Sequence, residues 1–294
     1  MLVLFTNVKY EKVREMLRII VDSGSSIKQS EREKYGVDII PLKIMFDEQE
    51  YLDGVDISNE FFYHKLVEEK KFPKTSLPSL QDTENLVNRY TEQGDEVIII
   101  TISSGISGTY QSMKMLFEQN PRVRIIDSLT AVGGIRILVE EANRHRDESL
   151  DEIVNRLQKL IPKIRIMAIP EKLDYLLMGG RLSKSEWMMG SLLSIKPVIG
   201  IRNGNVEVWA KKMGLKNSMS YIVSSLEEQK IDTNYGIVAA YTNNRANVEK
   251  LIEMTPPQYA EKITAYDDLD LAIACHWGPN AFGYIYVSKE DYIA

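Results

Sequence analysis

An α/β protein, built as two α/β domains with a ligand site in the crevice between them, is what this sequence predicts. Three observations carry that expectation. Short β-rich runs alternate with helical spacing along most of the 294 residues, a length sufficient for two hydrophobic cores. Val97–Ile102 is a continuous apolar run, as a strand buried on both faces of a parallel sheet requires. The pattern changes between Pro162 and Pro170, which divides the chain into an N-terminal domain over residues 16–164 and a C-terminal domain over 165–294. Largely parallel sheets are expected in both.

The first convincing strand is Leu17–Val21, which runs into the polar turn Asp22-Ser23-Gly24-Ser25-Ser26. Met16 stands just before it, so the fold proper is expected to start there, with residues 1–15 an extension; an ordinary edge element is the competing reading. Ile39–Phe46 reads as a second strand and Phe61–Val67 as part of a helix. Ser79 followed by Asp82 has the capping-box pattern of a helix start, with Leu86 and Val87 turned inward. After Val97–Ile102 comes the loop Ser103–Gly108, and then Tyr110, Met113, Leu116 and Phe117 keep helical spacing. Val123–Ile126 is a strand ending at Asp127-Ser128, and Ser149 with Glu152 caps a helix through Leu160.

Ile164–Ile169 begins the second domain as a strand. Leu173–Met178 leads to the turn Gly179-Gly180-Arg181, and an apolar helix is expected around Trp187–Ile195. Pro197–Ile201 and Val206–Ala210 flank Asn203-Gly204, the strongest hairpin signal in the chain. Ile237–Tyr241 and Val248–Ile252 form a further strand–helix unit. The last helix reaches Cys275, and Phe282–Val287 closes as a strand.

Composition narrows the function classes. With 44% hydrophobic and 27% charged residues the chain is ordinary for a globular protein, and its formal net charge of -6 argues against a general attraction to nucleic acid or anionic membrane. One cysteine, Cys275, allows no intrachain disulfide. No uncharged apolar run approaches the ~18 residues of a spanning helix, and no signal-peptide pattern opens the chain. The expected location is cytoplasmic, with at most transient membrane contact.

The most informative stretch is Ser103-Ser104-Gly105-Ile106-Ser107-Gly108-Thr109. It joins a buried strand to a helix, so free backbone N–H groups and the positive helix end face the crevice. Two glycines let an anion approach the backbone, four hydroxyls can donate to it, and no Asp or Glu occurs from Thr101 through Phe117. A turn that merely caps its own helix is the alternative. The loop has neither the Walker lysine nor the spaced glycines of a dinucleotide site. Thr75-Ser76-Leu77-Pro78-Ser79 is a second hydroxyl cluster; Ser79 suffices for the helix cap, which leaves Thr75 and Ser76 unexplained.

In His276-Trp277-Gly278-Pro279, the Gly and Pro define a tight turn that can aim the imidazole into a crevice, against the plainer reading of a structural histidine. Cys275 reads as buried filler, and His64 and His145 as surface. Arg181 is either part of a helix stop or a partner for an anion or a second protein. Trp187, Met188, Met189, Leu192, Leu193 and Ile195 read as a core helix, and the methionines would equally suit a wall around a flexible alkyl chain. Asp267, Asp268 and Asp270 are expected to cap the preceding helix. No metal-ligand spacing, no G-x-S-x-G elbow and no Rossmann fingerprint is present, so neither a metal nor a cofactor is expected. The residues alone imply an α/β protein with an anion-accepting hydroxyl site and do not name the ligand.

The combination resembles the DegV family of bacterial fatty-acid-binding proteins, from Met16 onwards. The resemblance rests on Asp22-Ser23, on Thr75 through Ser79, and on Ser104 through Ser112 (SGISGTYQS). It continues with Asp127-Ser128, Tyr175 through Ser183 (YLLMGGRLS), Ile195-Lys196-Pro197 and His276 through Ala281 (HWGPNA). It implies a non-enzymatic protein binding one long-chain fatty acid between its two domains. The carboxylate would be held by Thr75, Ser76, Ser107, the amides around Gly108, and His276, with Ser104, Thr109 and Gly278 completing the expected ligand-binding set. The acyl chain would run into the C-terminal domain, along the helix at Trp187–Ile195. The resemblance also implies presentation of the fatty acid to a fatty acid kinase that phosphorylates it, with Arg181 in the docking region. Asn280 departs from the glycine usual in the family, a change that asparagine can accommodate in a left-handed conformation. Trp277 would narrow the pocket mouth. The rival readings are an enzyme acting on a small phosphate or carboxylate ester with His276 as general base, and a regulatory protein governed by a small anion.

Overall fold

The computed structural model describes residues 16–190 and 194–292. The expected extension over residues 1–15 lies outside them. Thirteen strands occur among the described residues. The first seven are β1 (Leu17–Asp22), β2 (Val37–Ile40), β3 (Lys43–Phe46), β4 (Gln49–Leu52), β5 (Lys74–Ser76), β6 (Glu96–Thr101) and β7 (Val123–Asp127). The remainder are β8 (Ile164–Ile169), β9 (Ile195–Arg202), β10 (Asn205–Met213), β11 (Ile237–Tyr241), β12 (Ile263–Asp268) and β13 (Phe282–Val287). They form three sheets, ordered β2-β1-β6-β7, β10-β9-β8-β13-β11-β12, and β4-β3-β5.

The four-stranded sheet is parallel throughout, with β6 in the middle and four of its residues, Val97 through Ile100, wholly buried. The six-stranded sheet departs from the expected parallel arrangement: only β11 and β12 run parallel, and every other neighbouring pair is antiparallel. The β9–β10 hairpin and the β8–β9 pair account for two of these, and the last strand accounts for the other two. β13 inserts between β8 and β11, and its pairing with β8, across more than 100 residues, is one that no local pattern announces. The expected strand Ile39–Phe46 is also two strands, because Pro41 lacks the N–H that a continuous ladder needs; β2 stays in the parallel sheet and β3 leaves for the small one.

Local signals are realised where expected. Ser149 and Glu152 cap the helix Leu150–Leu160 reciprocally, whereas Ser79 accepts the Asp82 N–H at the start of Leu80–Glu92. Asn203 and Gly204 both take positive φ, 48° and 80°, and turn the β9–β10 hairpin. The apolar helix is shorter than expected and is not a core helix: it covers Lys184–Gly190 with Met188 exposed, Ile195 opens β9, and Leu192 and Leu193 lie outside the described residues. Asp267 and Asp268 end a strand, and Asp270 stands at the N-cap of the helix that follows, Leu271–Trp277, rather than capping one before it.

One hydrophobic cluster runs through the middle of the molecule, from Ile19 and Val21 of the parallel sheet to Ile166 and Ile285 of the mixed one. The helix Gly133–Arg144 lies between the two sheets and is buried along most of its length. Each large aliphatic side chain so enclosed contributes roughly 1.5–3 kcal/mol. The contact is close enough to need a glycine: a Cβ on Gly133 would stand 2.9 Å from Val238. The small sheet packs Ile44 and Phe46 with Phe62, and it is covered by Leu271, Ala272, Ala274 and Cys275 from the last helix.

Candidate functional site

Between the carboxyl ends of the parallel strands and the inner face of the mixed sheet lies a cavity of about 320 Å³. Carboxyl ends of parallel strands are where α/β sheets leave room for ligands. Strand register explains the cavity's floor. Ala240, Gly283 and Ala168 stand side by side on β11, β13 and β8, a row with almost no side-chain height. The next row, Ile285, Ile166 and Ile201, is branched and closes over the core. Ile102 and Val132 face the floor from the loops above the parallel sheet, and Ile273 does so from the last helix.

The polar residues of the lining include Thr75, Ser76, Ser107, Arg181 and His276, together with the backbone of Gly108. Thr75 is on β5, an edge strand of the small sheet, and its Oγ1 lies 2.8 Å from His276 Nε2. The other imidazole nitrogen, Nδ1, is buried without a hydrogen-bond partner. Gly179 packs against it so closely that a Cβ there would fall 2.1 Å away. Burial, with the Arg181 guanidinium adding to it, pushes the His276 pKa down from 6.5 to about 3, so the ring is neutral at neutral pH. A sealed N–H at Nδ1 would be an orphan donor, the less tolerated kind of unpaired group. The Nε2–H tautomer avoids this: it donates to Thr75 and leaves the threonine's own proton free for the cavity.

Arg181 is held on the cavity wall by two carbonyls, donating from Nε to Ile106 O at 3.0 Å and from Nη1 to Gly179 O at 2.5 Å. Burial lowers its pKa from the ordinary value. The geometry therefore brings together, at one side of an apolar cavity, the Thr75 and Ser107 hydroxyls, an imidazole and a guanidinium, while Ser76, next to Thr75 on the strand, is exposed and turns its side chain to the opposite face of β5.

Three of the expected residues stand behind this wall rather than in it. Thr109 is buried, with its Oγ1 2.8 Å from Ser107 Oγ. Ser104 is exposed, and its N–H is taken by the Asp127 carboxylate. Gly278, at φ 72°, packs against the Tyr175 ring. Two supports were not apparent from the sequence as parts of the site. Asp22 accepts the N–H of Ile102 at 2.8 Å and that of Gly24 at 2.9 Å, tying the cavity wall to the end of β1; burial raises its pKa from 3.8 to about 7. Ser103 donates to Gly204 O at 2.7 Å, so the tip of the β9–β10 hairpin braces the Ser103–Gly108 loop. Asp22-Ser23 was a visible motif, whereas the hairpin contact left no local sign. Among the described residues no cluster of three His, Cys, Asp or Glu side chains is arranged to hold a metal, and no helix is long and apolar enough to cross a membrane.

Comparison with known proteins follows the same outline. A model of the DegV family, described as uncharacterised proteins, matches residues 16–289. The chain is 33% identical over 282 residues to a DegV domain-containing protein of Caldanaerobacter subterraneus subsp. tengcongensis, covering 94% of this chain and 100% of that one. Among solved structures it is similar to the fatty acid binding DegV family protein of Streptococcus agalactiae, with a TM-score of 0.85 and 26% identity, covering 94% of this chain and 100% of that one. It is similar also to a stearic acid-binding protein of Eubacterium ventriosum, with a TM-score of 0.83 and 26% identity, covering 93% and 99% of the two chains.

Proposed function

This chain belongs to the DegV family, and on that premise we propose that it binds one long-chain fatty acid, its carboxylate against Thr75, Ser76, Ser107, the Gly108 amide and His276. The observation that carries this reading is the composition of a single cavity: donors gathered on one side, and an apolar floor and walls over the rest. Burying a carboxylate is costly unless several donors meet it, and this cluster offers them. Enclosing about 15 methylenes would yield on the order of 10 kcal/mol at ~0.8 kcal/mol each, before the costs of association. In this reading residues 16–164 and 165–294 are the two domains that close on the ligand.

The resemblance to solved structures whose names specify fatty acid, and in one case stearic acid, supports the same ligand class. A general-base role for His276 is less well supported. Such a base needs a group to orient and charge-balance its Nδ1, and that atom has no partner. The chemistry is better assigned to a partner: a fatty acid kinase that phosphorylates the presented carboxylate, docking near Arg181. Native mass spectrometry of the purified protein, followed by denaturing extraction, tests the ligand. An adduct with the mass of one long-chain fatty acid is expected. A clean apo mass that also fails to shift with added palmitate or oleate overturns the reading.

A further inference from the structure

Val132 is the one β-branched residue with positive φ among the described residues. Its φ of 48° and ψ of -132° lie in territory that suits glycine and strains a residue carrying a branched Cβ. Strain of this kind persists only where the surroundings over-determine it. Here the Val132 N–H donates to Gly24 O at 2.7 Å, and its carbonyl accepts from Ile135 at 2.9 Å as the helix Gly133–Arg144 begins. The side chain is 5% exposed, and it lines the cavity.

The position of that helix start marks where the cavity ends. Gly133 sits on Val238, and a Cβ on Gly134 would lie 3.1 Å from Ile164. Val238 pairs with Ile285 and so continues the branched row of the floor, yet it is covered and does not line the cavity. Floor and roof therefore meet immediately beside Val132. The groups suited to a carboxylate come from β5, from the Ser103–Gly108 loop and from the end of the last helix. Around Val132 the lining is apolar, with Ala131 beside it in the chain.

We propose that Val132 sets the length of acyl chain the protein accepts: its isopropyl group is the end wall met by the terminal methyl, held there by a strained backbone. This rests on the fatty-acid reading and adds a specificity determinant to it. A glycine would give the same turn without strain, but it would leave the end of the cavity open.

The test compares wild type, Val132→Ala and Val132→Gly after loading with an equimolar mixture of saturated acids from laurate to arachidate, the bound acids being identified by mass spectrometry. Both variants are expected to shift the bound distribution toward longer chains by about two carbons, the space vacated by the methyl groups. Val132→Gly should melt above Val132→Ala, because both lose the two γ-methyl groups and the relief of the backbone by glycine outweighs its further loss of Cβ. Variants that keep the wild-type distribution overturn this inference alone. A wild type that takes up none of the mixture overturns the fatty-acid reading and this inference with it. A Val132→Gly that melts below Val132→Ala overturns the role assigned to strain.

Discussion

Replacing Thr75 by valine removes one hydroxyl while keeping the branched shape that suits β5. In the structure that hydroxyl stands between His276 Nε2, at 2.8 Å, and the cavity. If it passes a proton donor on to a carboxylate, its loss removes a hydrogen bond to a charged group, worth about 1.5–3 kcal/mol. That corresponds to an affinity for palmitate about 10- to 150-fold weaker at neutral pH. The lower end is expected, because Nε2–H is then free to turn toward the ligand. Titration calorimetry or displacement of a fluorescent fatty acid measures the change. The melting temperature of the apo protein should move little, since Thr75 is half-buried and its partner is neutral. In a double-mutant cycle with His276→Ala the losses should be strongly non-additive, as for two members of one relay. An affinity within about twofold of wild type for both single variants, well under 1.4 kcal/mol, refutes the head-group geometry.

Other perturbations test the supports. Gly179→Ala should weaken palmitate binding at least as much as Thr75→Val, because its Cβ would fall 2.1 Å from His276 Nδ1 and displace the ring; unchanged binding would show that the ring position is immaterial. Stability against pH should carry two opposed signatures, readable from urea titrations. His276, depressed from 6.5 to about 3, contributes stability that is present above pH 6.5 and lost as pH falls toward 3, so His276→Gln should flatten that limb. Asp22, raised from 3.8 to about 7, contributes stability that is full below pH 3.8 and lost as pH rises through 7. Asp22→Asn should remove this slope and cost about 1–3 kcal/mol, because an amide N–H would face a backbone donor. Arg181→Ala should lower the rate of fatty-acid phosphorylation by a kinase by more than it lowers palmitate affinity; equal losses in both would confine Arg181 to the cavity wall.

Much of this architecture was legible because it is local. The Asn203-Gly204 turn, the Ser149–Glu152 cap and the apolar run ending at Ile102 each need only a few neighbouring residues to declare themselves. The mixed sheet was not legible in the same way. Phe282–Val287 reads as a strand, but nothing within it says that its neighbours are Ile164–Ile169 and Ile237–Tyr241. Pro41 was a readable break that a long apolar run obscured. At the site, hydroxyl-rich loops identify a place and not a direction. Ser107 and Thr109 are two residues apart, and only the fold decides that one lines the cavity while the other supports it from behind. The strain at Val132 had no sequence sign, because valine is an unremarkable residue wherever φ is negative.

The way Pro41 hands the chain from one sheet to another bears on how the molecule folds. Residues 43–76 form a three-stranded unit whose apolar side, with Ile44, Phe46 and Phe62, is completed only by a helix some 200 residues further along. During synthesis that side waits uncovered until Leu271–Trp277 emerges. Contacts of such sequence separation slow folding and leave greasy surface open to misassociation in the interval. A chain truncated near residue 164 should therefore be an aggregation-prone fragment rather than a working half, which limitation sedimentation of the expressed fragment would reveal. The segment bearing His276 is thus also the last piece of the small sheet's core, so a competent head-group site can arise only once nearly the whole chain is made.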